Sequence, residues 1–319
     1  MARSFRILSL DGGGIRGLMT AIWLTRLEEK LGVPLRERFD LIAGTSTGAI
    51  IACALASGIP ARSVVDLYRK RGREIFPAAP SRLWSRFERV LSDGASAPKY
   101  SDKGLENVLR TTFRESIVGD VQKTTLLVTA YDVFKRKPEI FKSNKDSHRP
   151  LKLWEVAKAS ASAPSYFPAH VLEYEGTKNP LVDGGVVANN PTACAIAEGI
   201  VLAQKTGAKL EEFVVASFGT GQNTRPINVD DATTWGALEW AFPIIDVLMD
   251  GAADATDYIA CQLIAKDRYF RFQTELDKAY DDLDRADETN LNALAVIAQE
   301  YLTQPGDEQI AKLVPLVQA

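Results

Sequence analysis

Short apolar runs alternate with stretches of helical periodicity through the first two thirds of the chain, and that alternation predicts the fold class. Phe5–Leu10 reads as a strand, Leu18–Leu31 as an amphipathic helix, Phe39–Ala43 as a strand and Ala49–Leu55 as a buried helix. Helices at 61–75 and 102–114 follow, then strands at 124–133 and 138–142 and a helix at 151–161. His170 opens a further strand, another run ends at Asp183, Pro191 to about 205 is a helix and Phe213–Phe218 a strand. Strands alternating with helices predict an α/β protein with a central, largely parallel sheet. Beyond it, Trp235–Met249 is apolar on nearly every side; buried packing is the default, and bounding an apolar pocket or an oligomer contact the alternative. Acidic Tyr280–Glu288 reads as a solvated loop, leading to a helix capped by Thr289 or Asn290, and Asp307–Val317 as a last helix set apart by Pro305.

Between the second strand and its helix lies Gly44-Thr45-Ser46-Thr47-Gly48. A strand, sharp turn and helix project the serine hydroxyl over the end of a sheet, and flanking glycines let the two backbones approach. A G-x-S-x-G arises by chance in roughly one chain in ten of this length, so Ser46 becomes a candidate nucleophile only through that context and a second element. The second element follows the first strand: Asp11-Gly12-Gly13-Gly14-Ile15-Arg16-Gly17. Glycines between a strand and a helix aim several amides at one point, which suits a bound phosphate or the oxyanion of acyl transfer. Gly12-x-Gly14-x-x-Gly17 also matches a dinucleotide fingerprint, but the next strand ends in the Ser46 turn where that fingerprint requires an acidic residue. A Walker loop is excluded, because no Gly-Lys-Ser/Thr follows the glycines.

A third element, Pro180-Leu181-Val182-Asp183-Gly184-Gly185, ends an apolar run in an aspartate, ahead of Ala188-Asn189-Asn190-Pro191 at the entry to a helix. In isolation Asp183 is a turn aspartate bonded to its own backbone; beside Ser46 and the glycine loop it is the candidate base. The chain has two histidines, His148 in a polar loop and His170 at a strand start, and neither follows Asp183. The Ser, Asp, His order of a generic α/β-hydrolase is therefore missing.

Net charge is −3, with 25% charged and 46% hydrophobic residues, so nothing marks a nucleic-acid binder. A strand starting by Phe5 leaves no room for a signal peptide, and no apolar run approaches the ~18 residues of a membrane span; the expected compartment is the cytoplasm. Cys53, Cys194 and Cys261 lie in apolar helical patterns and read as small core residues. In Ser81–Leu91, Leu83, Trp84, Phe87, Val90 and Leu91 share one helical face while Arg82, Arg86 and Arg89 lie off it. Packing on the core is the plainer reading, and contact with an anionic membrane interface through Arg82–Leu91 the sharper one.

Four blocks in order, Asp11–Gly17, Gly44–Gly48, Ser160–Pro168 and Asp183–Pro191, resemble the patatin-like phospholipase family. The resemblance covers about residues 5–200, with weaker similarity near Trp235–Asp257. It implies a three-layer α/β/α fold with a catalytic core at 5–200, and 201–319 as a mostly helical continuation of the same domain. It implies Ser46 as nucleophile, Asp183 as base of a Ser-Asp dyad and the amides of Gly12, Gly13 and Gly14 as an oxyanion hole. Arg16 would fix the loop or help hold an anionic group, and Gly44, Gly48, Gly184 and Gly185 would support the turns. The implied activity is phospholipase A or lysophospholipase hydrolysis through an acyl-serine, with no cofactor and no metal, on membrane phospholipid or lysophospholipid. Acyl transfer from the same intermediate, or a storage or binding protein on the same fold, are the alternatives. Some bacterial members of the family are defence effectors switched on by a cyclic nucleotide, a regulated role that the resemblance also offers.

Overall fold

The computed structural model describes residues 4–77, 98–204, 207–222, 224–240 and 243–319. Arg82–Leu91, the expected membrane-contact segment, lies outside the described residues. In chain order the elements are β1 (Arg6–Leu10), α1 (Gly17–Leu31), β2 (Leu41–Thr45), α2 (Thr47–Ser57), α3 (Ala61–Ile75), α4 (Lys103–Phe113), β3 (Thr125–Asp132), β4 (Lys137–Lys142), α5 (Leu153–Ser160), β5 (His170–Tyr174) and β6 (Thr177–Asp183). Then come α6 (Gly185–Ala188), α7 (Thr192–Ala203), β7 (Val214–Phe218), α8 (Val229–Thr234), α9 (Ala237–Trp240), α10 (Pro243–Leu263), β8 (Tyr269–Phe272), α11 (Glu288–Tyr301) and α12 (Asp307–Gln318).

Among the described residues eight strands form one mixed sheet, and its inner path β3-β2-β1-β7-β8 is parallel throughout. Parallel strands covered on both faces read as continuous apolar runs, and β1 is buried at every position. Its side chains alternate between layers: Leu8 and Leu10 pack with α1, α2 and α3, whereas Phe5 and Ile7 pack with Ala195 and Ile196 of α7 and with Ala260 of α10. The result is the three-layer arrangement of helix, sheet and helix.

The antiparallel strands carry the functional geometry. β3 pairs with β2 over Thr125–Thr129 and with β6 over Ala130–Asp132, while β4 runs along Leu127–Asp132. A strand has two edges, so β6 must lie on the β2 edge of β3, arriving head-on where β2 stops. Thr45 faces Thr129 and Asp183 faces the adjacent Ala130, which brings the ends of β2 and β6 together.

Four expectations are corrected. The 280–288 stretch is not a solvated loop: Asp284 is buried, accepting from Tyr100 Oη at 2.6 Å and pairing with Lys99, and the Leu283 carbonyl accepts from Ile15 N at 2.8 Å. Apolar Leu283 and Ala286 draw that stretch onto the core despite its charge. The cap of α11 is Asp287, whose Oδ1 accepts from Asn290 N at 3.1 Å; Asn290 is instead buried, bonded to Tyr280 N and Arg285 O. The Trp235–Met249 stretch is not buried all round, since α10 turns Ile245 and Met249 inward and leaves Val247 and Leu248 exposed. Of the three free thiols Cys53 alone is fully in the core, and Cys261 is exposed on α10.

Candidate active site

Ser46 is the single residue between β2 and α2. Its backbone sits at φ 54°, ψ −121°, a conformation that costs an L-residue about 1–3 kcal/mol and that surrounding structure must impose. The glycines explain how. A Cβ on Gly44 would lie 2.2 Å from the Gly48 carbonyl oxygen, and one on Gly48 2.2 Å from that of Leu10. The turn is thus folded against backbone on two sides. A third restraint comes from α5, where Ser160 Oγ accepts from Ser46 N at 2.8 Å.

Ser46 Oγ donates to Asp183 Oδ2 at 2.6 Å across 137 positions of sequence. The other carboxylate oxygen accepts from Gly185 N at 2.7 Å, and Asp183 N donates to Ser162 O at 3.0 Å. Asp183 is wholly buried. Burial pushes its carboxyl up to about 7, against the pull of the Ser46 and Gly185 hydrogen bonds, which favour the ionised form. Gly184 and Gly185 admit these contacts: a Cβ on Gly184 would lie 2.2 Å from Thr129 Oγ1, and one on Gly185 2.7 Å from Met249 Cε.

Gly12, Gly13 and Gly14 divide their labour. The Gly12 amide donates to Asn189 O at 3.0 Å and its carbonyl accepts from Thr220 Oγ1 at 2.8 Å. Gly12 therefore anchors the loop, which corrects its expected place among the oxyanion donors. Gly13 and Gly14 take φ of 156° and 56°. Their amides donate to no acceptor among the described residues, and both residues line the cleft that holds Ser46 and Asp183. Ile15 N resumes bonding, to Leu283 O. Arg16 is buried outside that cleft, with Nε donating to Gly13 O at 3.4 Å, which ties its side chain to the glycine loop. Burial lowers its pKa against the field of Asp250 and Asp246. Beneath the loop, Asp11 pairs with Arg271 at 2.6 Å, and burial still raises its carboxyl to about 6.

The histidines lie elsewhere. His148 is buried beside Phe141 and Tyr174, its Nδ1 accepting from Lys142 N at 3.0 Å. His170 packs near Trp154, and burial lowers its pKa to about 4. Neither lines the Ser46 cleft. The cleft wall is apolar, with Ile50, Tyr68, Ile75, Phe76, Phe167 and Met249 among its members. Its free space is about 40 Å³. Among the described residues no group of three or more His, Cys, Asp or Glu is placed to hold a metal ion, and no helix is long and apolar enough to cross a membrane.

Sequence reasoning missed Ser160, Thr220, Leu283 and the Asn189 carbonyl as members of this site. Ser160 opens one of the four blocks of the resemblance, which was the available signal; the carbonyls of Asn189 and Leu283 act through backbone and leave no trace in side-chain type.

The patatin-like phospholipase family model matches residues 8–196. Patatin-like protein 1 of Arabidopsis thaliana is 31% identical, the match covering 93% of this chain and 81% of that protein. Patatin-17 of Solanum cardiophyllum is 28% identical over 95% of this chain and 84% of its own length. The crystal structure of VipD from Legionella pneumophila aligns with 93% of this chain and 67% of that one, at 13% identity and a TM-score of 0.43. With its glycine loop, Ser46 turn and Asp183 strand all falling inside the matched residues, the chain belongs to the patatin-like phospholipase family.

Proposed function

We propose that this chain is a lipid acyl hydrolase of phospholipase A or lysophospholipase type, working through a Ser46–Asp183 dyad. The observation that carries the proposal is the 2.6 Å contact between Ser46 Oγ and a wholly buried Asp183, in an apolar cleft that Gly13 and Gly14 also line. An ordinary carboxylate is a feeble base near neutrality; one raised to about 7 matches the working pH of a general base. Asp183 takes the Ser46 proton as Oγ attacks the ester carbonyl, and the amides of Gly13 and Gly14 receive the negative charge that develops on the carbonyl oxygen. The proton then passes from Asp183 to the departing alcohol, leaving an acyl-serine. Water, deprotonated by Asp183, attacks that ester and releases the fatty acid and free Ser46. The acyl chain lies along the apolar wall.

The test compares wild type, Ser46→Ala and Asp183→Asn on defined phospholipids, lysophospholipids and short-chain p-nitrophenyl esters. Each variant is expected to lose at least ~10³-fold in kcat/KM. Wild-type turnover by Ser46→Ala would refute the nucleophile, and turnover by Asp183→Asn would refute the base. The dyad uses no Lewis acid, so EDTA is expected to leave wild-type rates unchanged.

A further inference from the structure

Ser46 and Asp183 come from segments 137 positions apart, and one residue outside the dyad bonds to both segments, through its side chain to one and its backbone to the other. Ser160 ends α5 and is wholly buried. Its Oγ accepts the amide proton of Ser46 at 2.8 Å, while its carbonyl accepts from Gly184 N at 3.2 Å, one residue beyond Asp183. The same turn continues the tie, since Ser162 O accepts from Asp183 N at 3.0 Å and Ser162 Oγ donates to Lys158 O at 2.8 Å. Behind the turn, Lys158 is buried and its Nζ lies 2.7 Å from Asp102 Oδ2 and 2.6 Å from Glu106 Oε2, so that α4 and its leading residue hold the end of α5 in place.

We infer that Ser160 is a positioning residue of the proposed dyad, a bracket whose hydroxyl fixes the strained Ser46 backbone and whose carbonyl fixes the strand end that carries Asp183. The inference rests on the Ser46–Asp183 reading. Its physical basis is the positive φ of Ser46, a conformation the turn would leave if released. In a buried turn Ser46 N–H has no water to replace Ser160 Oγ, so deleting the hydroxyl leaves an unsatisfied donor, and the backbone rotates to satisfy it. Rotation there swings Oγ out of line with Asp183 Oδ2. Ser160 itself touches neither Ser46 Oγ nor the carboxylate; its effect falls on alignment and so on kcat, not on the apolar wall that binds the acyl chain.

The experiment separates hydroxyl from shape. Ser160→Thr and Ser160→Val are nearly isosteric, so any crowding in the buried site is common to both, and only the threonine keeps the acceptor. Their rates are measured with p-nitrophenyl butyrate, together with the rate at which a fluorophosphonate labels Ser46, beside Ser160→Ala, wild type and Ser46→Ala. Ser160→Val and Ser160→Ala are expected to lose about 10–100-fold in kcat and in labelling rate with KM within about twofold, and Ser160→Thr to recover most of that loss. Equal rates for the threonine and valine variants, or a loss confined to KM, overturn the bracket. A Ser46→Ala protein that remains active or labelled overturns the dyad itself, so the two failures are distinguishable. Thermal melts of the five proteins are read alongside: if the threonine and valine variants melt alike and still differ in rate, the hydroxyl acts on alignment; if their rates follow their melting temperatures, the inference is wrong.

Discussion

Replacing Asp183 with asparagine should destroy activity and stabilise the fold, with a pH dependence that identifies the cause. In the unfolded chain this carboxyl titrates near 3.8; in the folded protein it titrates near 7, because burial outweighs the hydrogen bonds from Ser46 Oγ and Gly185 N. Between those values the folded state binds the proton that the unfolded state has released, so stability falls as pH rises from about 4 to 7 and is level above. At roughly 1.4 kcal/mol per pH unit, the penalty of the ionised carboxylate is about 2 kcal/mol at pH 5 and about 4 kcal/mol at pH 8, a growth of about 2–3 kcal/mol. Asparagine carries no such charge, and its Oδ1 can still accept from Gly185 N while Nδ2 donates to Ser46 Oγ. Asp11 and Asp246, both raised to about 6, are common to the two proteins and cancel in the difference. For 319 residues at ~2.1 cal/mol/K each, a growth of about 2–3 kcal/mol corresponds to about 4 °C in Tm. The assay is thermal unfolding of wild type and Asp183→Asn at constant ionic strength from pH 5 to 8. The Tm advantage of the variant should widen by about 4 °C across that range. A gap that stays constant, or that narrows as pH rises, refutes the claim that a buried carboxyl held near 7 is the source.

The same carboxyl should set the acid limb of kcat/KM: activity rises with pH to a plateau with a midpoint near 7, and a midpoint below 5 in steady-state rates on p-nitrophenyl butyrate contradicts the buried-base account. His170→Ala should keep kcat/KM within about threefold of wild type, because its ring packs near Trp154 and lies outside the cleft; a loss matching that of Ser46→Ala in the same assay returns a histidine to the mechanism. Ser46→Gly should be more stable than Ser46→Ala by about 1 kcal/mol in urea denaturation, the reverse of the usual helix preference, since both lack the hydroxyl and only glycine accepts φ 54° without strain. Equal midpoints would mean that the turn carries no backbone strain.

Much of this site could be read before any coordinates. A strand, Gly44-Thr45-Ser46-Thr47-Gly48 and a helix have one compact solution, because the two glycines meet backbone at positions where any Cβ collides. Asp183 at the end of a strand was equally legible. That β6 runs antiparallel was not, since direction depends on which neighbour the strand meets and not on its own side chains. Gly12 was misassigned for a related reason: three consecutive glycines look alike, and only the Asn189 carbonyl distinguishes the one whose amide is occupied. β8 escaped notice because Tyr269-Phe270-Arg271-Phe272 is four residues long and carries an arginine committed to Asp11. The stretch from Tyr280 to Glu288 was read by its charge, while Leu283 and Ala286 determined where it packs.

The head-on meeting of β2 and β6 makes the separation of Ser46 and Asp183 a matter of counting residues. Three cross-strand partners, Ala130 with Asp183, Tyr131 with Val182 and Asp132 with Leu181, hold Asp183 at its height along the sheet. Side chains alternate between the two faces of a strand, so removing one residue between Leu181 and Asp183 would turn the carboxylate to the opposite layer, or else pull it a full residue spacing of about 3.3 Å from Ser46. Either outcome would break the proposed dyad with both of its side chains still encoded, so this short stretch should tolerate exchange of residues far better than any change in their number.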